Sequence, residues 1–214
     1  MASNFGKTIQ VATFGASHGY AIGGIVEGLP CGHTIDIDEL QAFLKRRAPG
    51  QNQLQTQRKE ADIPEFLSGM VDGMLSGSPL AFMIRNTSQH SGDYNNLRDI
   101  PRPSHADFTA RMRYGDKVDM RGGGHFSARL TAPLCVAGGI ALQLLREKGI
   151  EIHGHLKQVG TIQDTPIDMV HPDMKALREI ATEPIAMLDA YKRSEVENLV
   201  MKLKKDGDST GGIV

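Results

Sequence analysis

The stretch Arg121-Gly122-Gly123-Gly124-His125-Phe126-Ser127-Ala128-Arg129 gathers groups that could hold an anion. Three consecutive glycines let the backbone turn with φ > 0 and let a ligand approach the main-chain N–H groups closely. An apolar helix pattern follows directly, so the turn is expected to open onto a helix N-terminus. Unpaired N–H groups and a partial positive charge there suit a phosphate. His125, Ser127 and Arg129 can add side-chain donors at the same spot. Taken alone, the stretch reads equally well as a glycine-rich turn before a core helix.

Other segments share this plan. Phe14-Gly15-Ala16-Ser17-His18-Gly19 places a serine and a histidine between glycines, just after a strand-like run. It lacks the G-x-S-x-G spacing of a nucleophile elbow, which argues against a serine hydrolase. His18 alone could be a turn histidine or a catalytic group. Arg102-Pro103-Ser104-His105-Ala106-Asp107 offers a second histidine in a proline-stiffened segment, where Asp107 could orient an imidazole or cap the next turn. Lys45-Arg46-Arg47 ends a predicted helix, where cations complement the dipole. With Arg58-Lys59-Glu60 it could also form an anion-binding rim. Loop histidines titrate near neutral pH and suit proton transfer, so the set resembles a site for a phosphorylated ligand.

The elements that must position these groups read as a mixed α/β chain. Thr8–Phe14 and Gly24–Gly28 are expected as strands flanking the Ser17-His18 loop. Asp36–Arg47 is expected as a helix, with Asp36 and Glu39 at capping-box spacing and Ile37, Leu40 and Leu44 on one face. Phe66–Val71 and Leu80–Ile84 are further strands, and Arg85–Ile100 a long polar surface loop, a form usually kept for function. Ser127–Lys148 gives the strongest helix, stopped by Gly149 and thinned by Ala132, Ala137, Gly138, Gly139 and Ala141 for close packing. Ile150–Val159 reads as a strand, Pro172 as the start of a short helix, and Glu195–Lys205 as an amphipathic helix.

The chain has 214 residues, enough for one sizeable domain or two small ones. A formal net charge of −1 gives no ground for general nucleic-acid affinity. Cys31 and Cys135 lack metal-ligand spacing and read as free thiols. The eight histidines show no H-x-x-x-H-like or clustered carboxylate pattern, which speaks against a metal-dependent hydrolase, and no metal is expected. Neither a signal core nor a long apolar run stands out, so a soluble, cytoplasmic chain without membrane or nucleic-acid partners is expected.

Taken in order, Phe14–Gly19, Arg46-Arg47-Ala48-Pro49-Gly50-Gln51, Arg102–Asp107, Arg121–Arg129 and Gly207-Asp208-Ser209-Thr210-Gly211-Gly212 resemble the chorismate synthase family over nearly the whole chain. The resemblance implies a homotetrameric α/β fold with long helices between mainly antiparallel sheets. It implies a trans-1,4 elimination of phosphate from 5-enolpyruvylshikimate 3-phosphate, giving chorismate near the end of the shikimate pathway of aromatic amino acid biosynthesis. Reduced FMN is required without net redox change, and NADPH reduces the flavin in some members.

Carried over by position, His18 matches the histidine near the leaving phosphate, a general acid. His105 matches the one that protonates or stabilises the flavin. Ser17, Arg47 and Arg129 match substrate-anion contacts, Arg47 also a position linked to NADP. His125, Phe126 and Ser127 match the FMN-contacting triplet, in the His-Phe-Ser form of a bacterial subgroup.

Three departures stand out. Ala16 replaces the usual glutamate, removing a carboxylate that could orient or tune His18. Gln53 replaces a usual basic residue. Family members also continue for roughly another 150 residues, so residues 1–214 are expected to be the N-terminal portion of a single domain. On that basis the chain alone is expected to turn over little, to bind flavin weakly, and to expose apolar surface and a strand edge at Gly211–Val214. A noncatalytic phosphate- or flavin-binding module of the same ancestry is the alternative. The enzyme reading expects His18, His105, Arg47, Arg129 and the glycine turn to converge on one cleft. It further expects Arg129→Ala to weaken anion binding by about 1.5–3 kcal/mol.

Overall fold

The computed structural model describes residues 3–50, 60–87 and 100–214. The chain packs as two compact units, residues 1–49 with 57–149, and residues 50–56 with 150–214.

The first unit is built on five antiparallel strands: β1 (Asn4–Gly6), β2 (Gln10–Gly15), β3 (Ala21–Glu27), β7 (Leu80–Arg85) and β4 (Pro64–Ser68), side by side in that order. Side chains alternate across a strand, so the register Ile22↔Ile84 and Val26↔Leu80 puts four aliphatic side chains on one face, with Phe82 from between them. Two helices cover that face: α1 (Ile37–Arg47) through Leu40 and Leu44, and α3 (Thr131–Arg146) through Ala132, Val136 and Ile140. Asp36 caps α1 as its spacing predicts, accepting from the Glu39 N–H. Leu40 and Leu44 are buried, but Ile37 is largely exposed.

The thinness of α3 is used where it crosses α1. A Cβ on Gly139 would lie 2.5 Å from Leu40 Cδ1 and 3.0 Å from Phe43 Cδ1, so a larger residue would require those side-chain ends to shift. Residues 121–146 also make a stretch long and apolar enough, by length and composition alone, to cross a membrane. Its helical part buries Ala132, Pro133, Val136, Gly139 and Ile140 within the protein instead.

Several boundaries differ from the sequence expectation. Strand β1 pairs with β2, although a three-residue run with an exposed pattern carries no periodic signal. The expected Phe66–Val71 strand is two strands. A register shift between Phe66 and Ser68 and the positive φ of Gly69 break it, and β5 (Met70–Val71) turns back to pair with β6 (Met74–Leu75). The helix expected from Ser127 begins at Thr131. Helix α2 (Asp107–Tyr114) follows the second histidine segment, where no helix was expected. Most of the Arg85–Ile100 loop, with Gln53, Arg58 and Lys59, lies outside the described residues.

In the second unit the expected Ile150–Val159 strand shrinks to β8 (Gln158–Val159), between β10 (Gly212–Ile213) and β9 (Ile162–Gln163). The alternation from Ile150 onward finds no ladder. Leu156 N–H bonds Ala186 O at 2.7 Å and Lys157 N–H bonds Ile213 O at 2.8 Å, while Ile150 and Ile152 remain exposed. Helices α4 (Met174–Ile180) and α5 (Ala190–Asp206) start on aspartate caps, and Gly207 ends α5 in the left-handed region. A small core of Ile185, Met187 and Val196 lies among them.

Beside this core, the buried Asp164 accepts the N–H groups of Leu188 and Asp189 and pairs with His155 at 3.0 Å. Burial alone would raise its pKa. The backbone donors of Asp189, Leu188 and Thr165, with His155, outweigh that and hold it below the usual range. Strand β10 forms one edge of its sheet, with Ile213 and Val214 exposed, as expected for this end of the chain.

Candidate functional site

The Ser17-His18 turn links β2 to β3 and is fixed from three sides. Ser17 N–H donates to Gly124 O at 3.0 Å, which ties the first glycine loop to the second. The side-chain amide of Asn86, just past β7, donates to Ala16 O at 3.1 Å and to Gly19 O at 2.8 Å. Its backbone N–H donates to Tyr20 O at 3.1 Å. Ser17 and His18 are thereby buried rather than displayed at the sheet edge.

Over them lies the Gly122–Gly124 turn. All three glycines have positive φ, at 58°, 86° and 55°. A Cβ at Gly122 would fall 2.5 Å from His18 Nε2 and 3.2 Å from Ser17 Oγ. Glycine is required there by the imidazole below as well as by the backbone. The turn does not open directly onto an α-helix, contrary to the sequence expectation. Short 3₁₀ helices at Arg121–Phe126 and Ala128–Leu130 intervene, because the left-handed glycines cannot seed an α-helical ladder. The donors the turn offers are therefore those of its own backbone, separated from the α3 terminus.

A pocket of about 350 Å³ opens beside the turn, lined by Arg102, His105, Gly122, Gly123, Phe126 and Ser127 among others. His105 Nδ1 sits 2.9 Å from Pro103 O. A carbonyl only accepts, so Nδ1 carries the proton and Nε2 is the nitrogen left for other partners. Ser104, with φ of 59°, makes the turn that presents this ring. Asp107 fulfils neither sequence alternative: it makes no cap bond and does not hold the His105 ring, and its carboxylate takes Arg102 N–H at 3.0 Å, Nε at 2.8 Å and Nη2 at 3.0 Å instead.

That hydrogen-bonded Arg102 holds the buried Asp107 carboxyl below its ordinary range, against the opposing effect of burial. A carboxyl with a depressed folded pKa stabilises fully above its unfolded pKa, near 4, and loses the contribution as pH falls toward the folded value. Acid denaturation of the wild type and of Asp107→Asn should therefore show a stability gap at neutral pH that closes below about pH 4. A gap independent of pH would mean that packing, and not charge, sets the role of Asp107.

The remaining predicted residues separate into two groups. His125 faces inward: Nδ1 lies 2.9 Å from Gly15 O and Nε2 2.6 Å from Ser3 Oγ. Both ring nitrogens are engaged, so the ring braces the first loop, while Phe126 beside it is 40% exposed at the pocket wall. Ser127 lines the pocket and its Oγ also accepts the Arg129 N–H at 3.3 Å.

Arg47 and Arg129 meet at a residue that carries no sequence signal. The fully buried Asp62 carboxylate accepts Arg47 Nη1 at 2.6 Å and, with its other oxygen, Arg129 Nη1. Arg129 Nε donates to Asn86 Oδ1 at 3.1 Å, and its Nη2 is 3.9 Å from Glu60 Oε2. Glu60 in turn accepts Thr87 N–H at 3.1 Å and Oγ1 at 2.8 Å. Asn86 joins this cluster to the Ser17-His18 loop, and Gly122 joins that loop to the pocket with His105. Of the residues expected in one cleft, only His105, Gly122 and Gly123 line this pocket; His18 lies under Gly122, and Arg47 and Arg129 are linked to that loop through Asp62 and Asn86. Asp62 and Asn86 were missed because their partners lie 15, 67 and 43 residues away. The only hints are a carboxylate two residues before the Pro64 strand and an amide ending an apolar one.

Comparison with known proteins identifies the family and fold of the chain. Residues 9–214 match the sequence pattern of the chorismate synthase family. The chain is similar to the chorismate synthase of Lancefieldella parvula, 41% identical over 225 residues, covering 100% of this chain and 59% of that one. It is 44% identical over 212 residues to that of Bacteroides thetaiotaomicron, covering 99% and 58%. With that of Ralstonia pickettii it shares 44% over 210 residues, covering 98% and 55%. A crystal structure of chorismate synthase superposes with a TM-score of 0.68 at 24% identity, covering 96% of this chain and 56% of that chain. The chain spans less than three-fifths of the length of these relatives.

Proposed function

Because the chain belongs to the chorismate synthase family, we propose that it carries the histidine and arginine side of a site that eliminates phosphate from 5-enolpyruvylshikimate 3-phosphate. The observation that carries the reading is the glycine turn itself. Gly122 packs on His18 while Gly122 and Gly123 line a pocket with His105, which brings two proton-transfer groups to one anion-accepting backbone.

In this reading His18 is the general acid beside the leaving phosphate. The Asn86 and Gly124 bonds hold its loop still, so little reorganisation is left for the reactive step. His105 Nδ1 keeps its proton on the Pro103 carbonyl, so Nε2 is the nitrogen that takes up and returns a proton in this reading. Arg47 meets the phosphate or carboxylates, with Ser17 and Arg129 behind it.

The residues present fit FMN in kind: a glycine backbone without Cβ atoms, the Phe126 ring and His105 on one pocket. His125 would act through the loops it braces, and Ser127 through its hydroxyl. When bound, reduced FMN supplies the electron that weakens the carbon–oxygen bond. Phe126 covers the pocket wall and limits water there. NADPH as reductant at Arg47, a homotetrameric assembly, a single domain extending beyond residues 1–214, and a cytoplasmic setting belong to the same proposal.

A second reading, a noncatalytic flavin- or phosphate-binding module, is favoured by Ala16, which leaves the His18 loop without the carboxylate usual beside it. One assay separates the two, run on the chain joined to the C-terminal portion of a relative, because the chain alone is expected to turn over little. Chorismate and phosphate release from 5-enolpyruvylshikimate 3-phosphate, with chemically reduced FMN under anaerobic conditions, should be abolished by His18→Ala or His105→Ala. Tight FMN or substrate binding with no turnover would select the module. Turnover unchanged in both variants would refute the assignment of the histidines.

A further inference from the structure

We propose that Asp62 is the resident counter-anion of the ligand site. Its carboxylate holds the Arg47 guanidinium when no ligand is bound and yields it to an incoming phosphate or carboxylate group, so Asp62 sets the concentration at which such an anion binds. The inference rests on the reading of Arg47 as an anion contact.

The geometry distinguishes the two arginines that Asp62 bridges. The Arg129 side chain is 4% exposed and anchored by Asn86 as well as Asp62. The Arg47 side chain is 20% exposed, holds Asp62 through Nη1, and among the described residues adds a long 3.5 Å contact from Nε to Thr131 Oγ1. A ligand arriving from solvent can compete for Arg47 and not for Arg129. Asp62 itself is fixed, with its side chain fully buried and its backbone in the left-handed region at φ of 50°.

Charge makes the competition necessary. Among the described residues, Arg47 and Arg129 bring two positive charges and Asp62 and Glu60 two negative ones, so these four side chains balance. A phosphate drawn to this spot gains little until one guanidinium is released from its internal partner. Buried ions tolerate no unpaired state, which is why an internal carboxylate occupies the fork in the ligand's absence. Glu60 is the weaker competitor, since Thr87 takes the same oxygen that faces Arg129 at 3.9 Å.

The test is Asp62→Asn, titrated with inorganic phosphate by calorimetry. Asparagine keeps the shape, accepts one guanidinium and tolerates the left-handed backbone, whereas alanine would not. Phosphate should bind Asp62→Asn roughly tenfold more tightly than wild type, the scale of one charge-assisted hydrogen bond released to the ligand. Arg47→Gln added to that variant should abolish the gain. Equal or weaker phosphate binding by Asp62→Asn overturns the proposal. If Arg47→Gln alone still abolishes binding in that case, the anion-contact reading survives it. A gain that persists without Arg47 overturns both. The unmutated chain gives an independent check: the ¹³C signal of the Asp62 carboxyl should move as phosphate saturates, and a stationary signal at saturation overturns the proposal whatever the variant does.

Discussion

Replacing Arg129 with alanine should cost about 3–5 kcal/mol of folding stability, the range seen when one partner of a buried ion pair is removed. The Asp62 carboxylate, fully buried, would keep only Arg47, and Asn86 Oδ1 would lose its donor. Lysine should recover less than half, because a single ammonium cannot reach Asp62 and Asn86 with the fixed fork that arginine offers. The measurement is urea unfolding, read as a shift in midpoint at constant slope. A loss under about 1 kcal/mol would place Arg129 among weak surface pairs and sink the buried-network account. The expectation from sequence, a ligand-binding loss of about 1.5–3 kcal/mol, assumed an arginine facing the ligand. The residue faces a carboxylate of its own chain.

The second large effect belongs to Gly122. Alanine there should displace the His18 ring, since the new methyl would sit 2.5 Å from Nε2. The left-handed backbone adds a cost of about 1–2 kcal/mol. A displacement near 1 Å should lower turnover about a hundredfold if His18 is the acid. Gly123→Ala is the internal control. Its φ of 86° imposes comparable strain, but its methyl would meet only Ser127, at an ordinary 3.4 Å from Cβ. In ¹⁵N spectra of the imidazoles, Gly122→Ala should shift the His18 signals while Gly123→Ala leaves them in place. Matching behaviour in the two variants would mean that the turn, and not the contact with His18, is what matters.

The legibility of this chain divides along a physical line. Local signals were read well. The Asp36 cap, the Gly149 stop, Leu40 and Leu44 on the core face of α1, and the short helix after Pro172 all depend on neighbours within about a turn. Ordered motifs resembling the family marked the glycine turn and both histidines, because backbone geometry ties them to particular residue types. What escaped depends on distant partners. The alternation from Ile150 onward lacked a strand to pair with. The fold of Asp62 into the arginine cluster, and the bridging by Asn86, are contacts between segments whose spacing carries no periodicity. Polar core residues are legible only once the fold has chosen their neighbours, whereas an apolar stripe announces its own burial.

The crossing of α1 and α3 determines more than a core contact. Arg47 ends one helix, Arg129 precedes the other, and the pair is clasped at both ends: Arg47 reaches Thr131, while Asp36 and Gln143 exchange two bonds of 2.9 Å. Gly139 sets the depth of contact between the two helices, and Asp62, from outside both, bridges the arginines at the far end of that crossing. A methyl group added at that glycine would have to be absorbed by the ends of Leu40 and Phe43, on the same helix that carries Arg47 to its bridge.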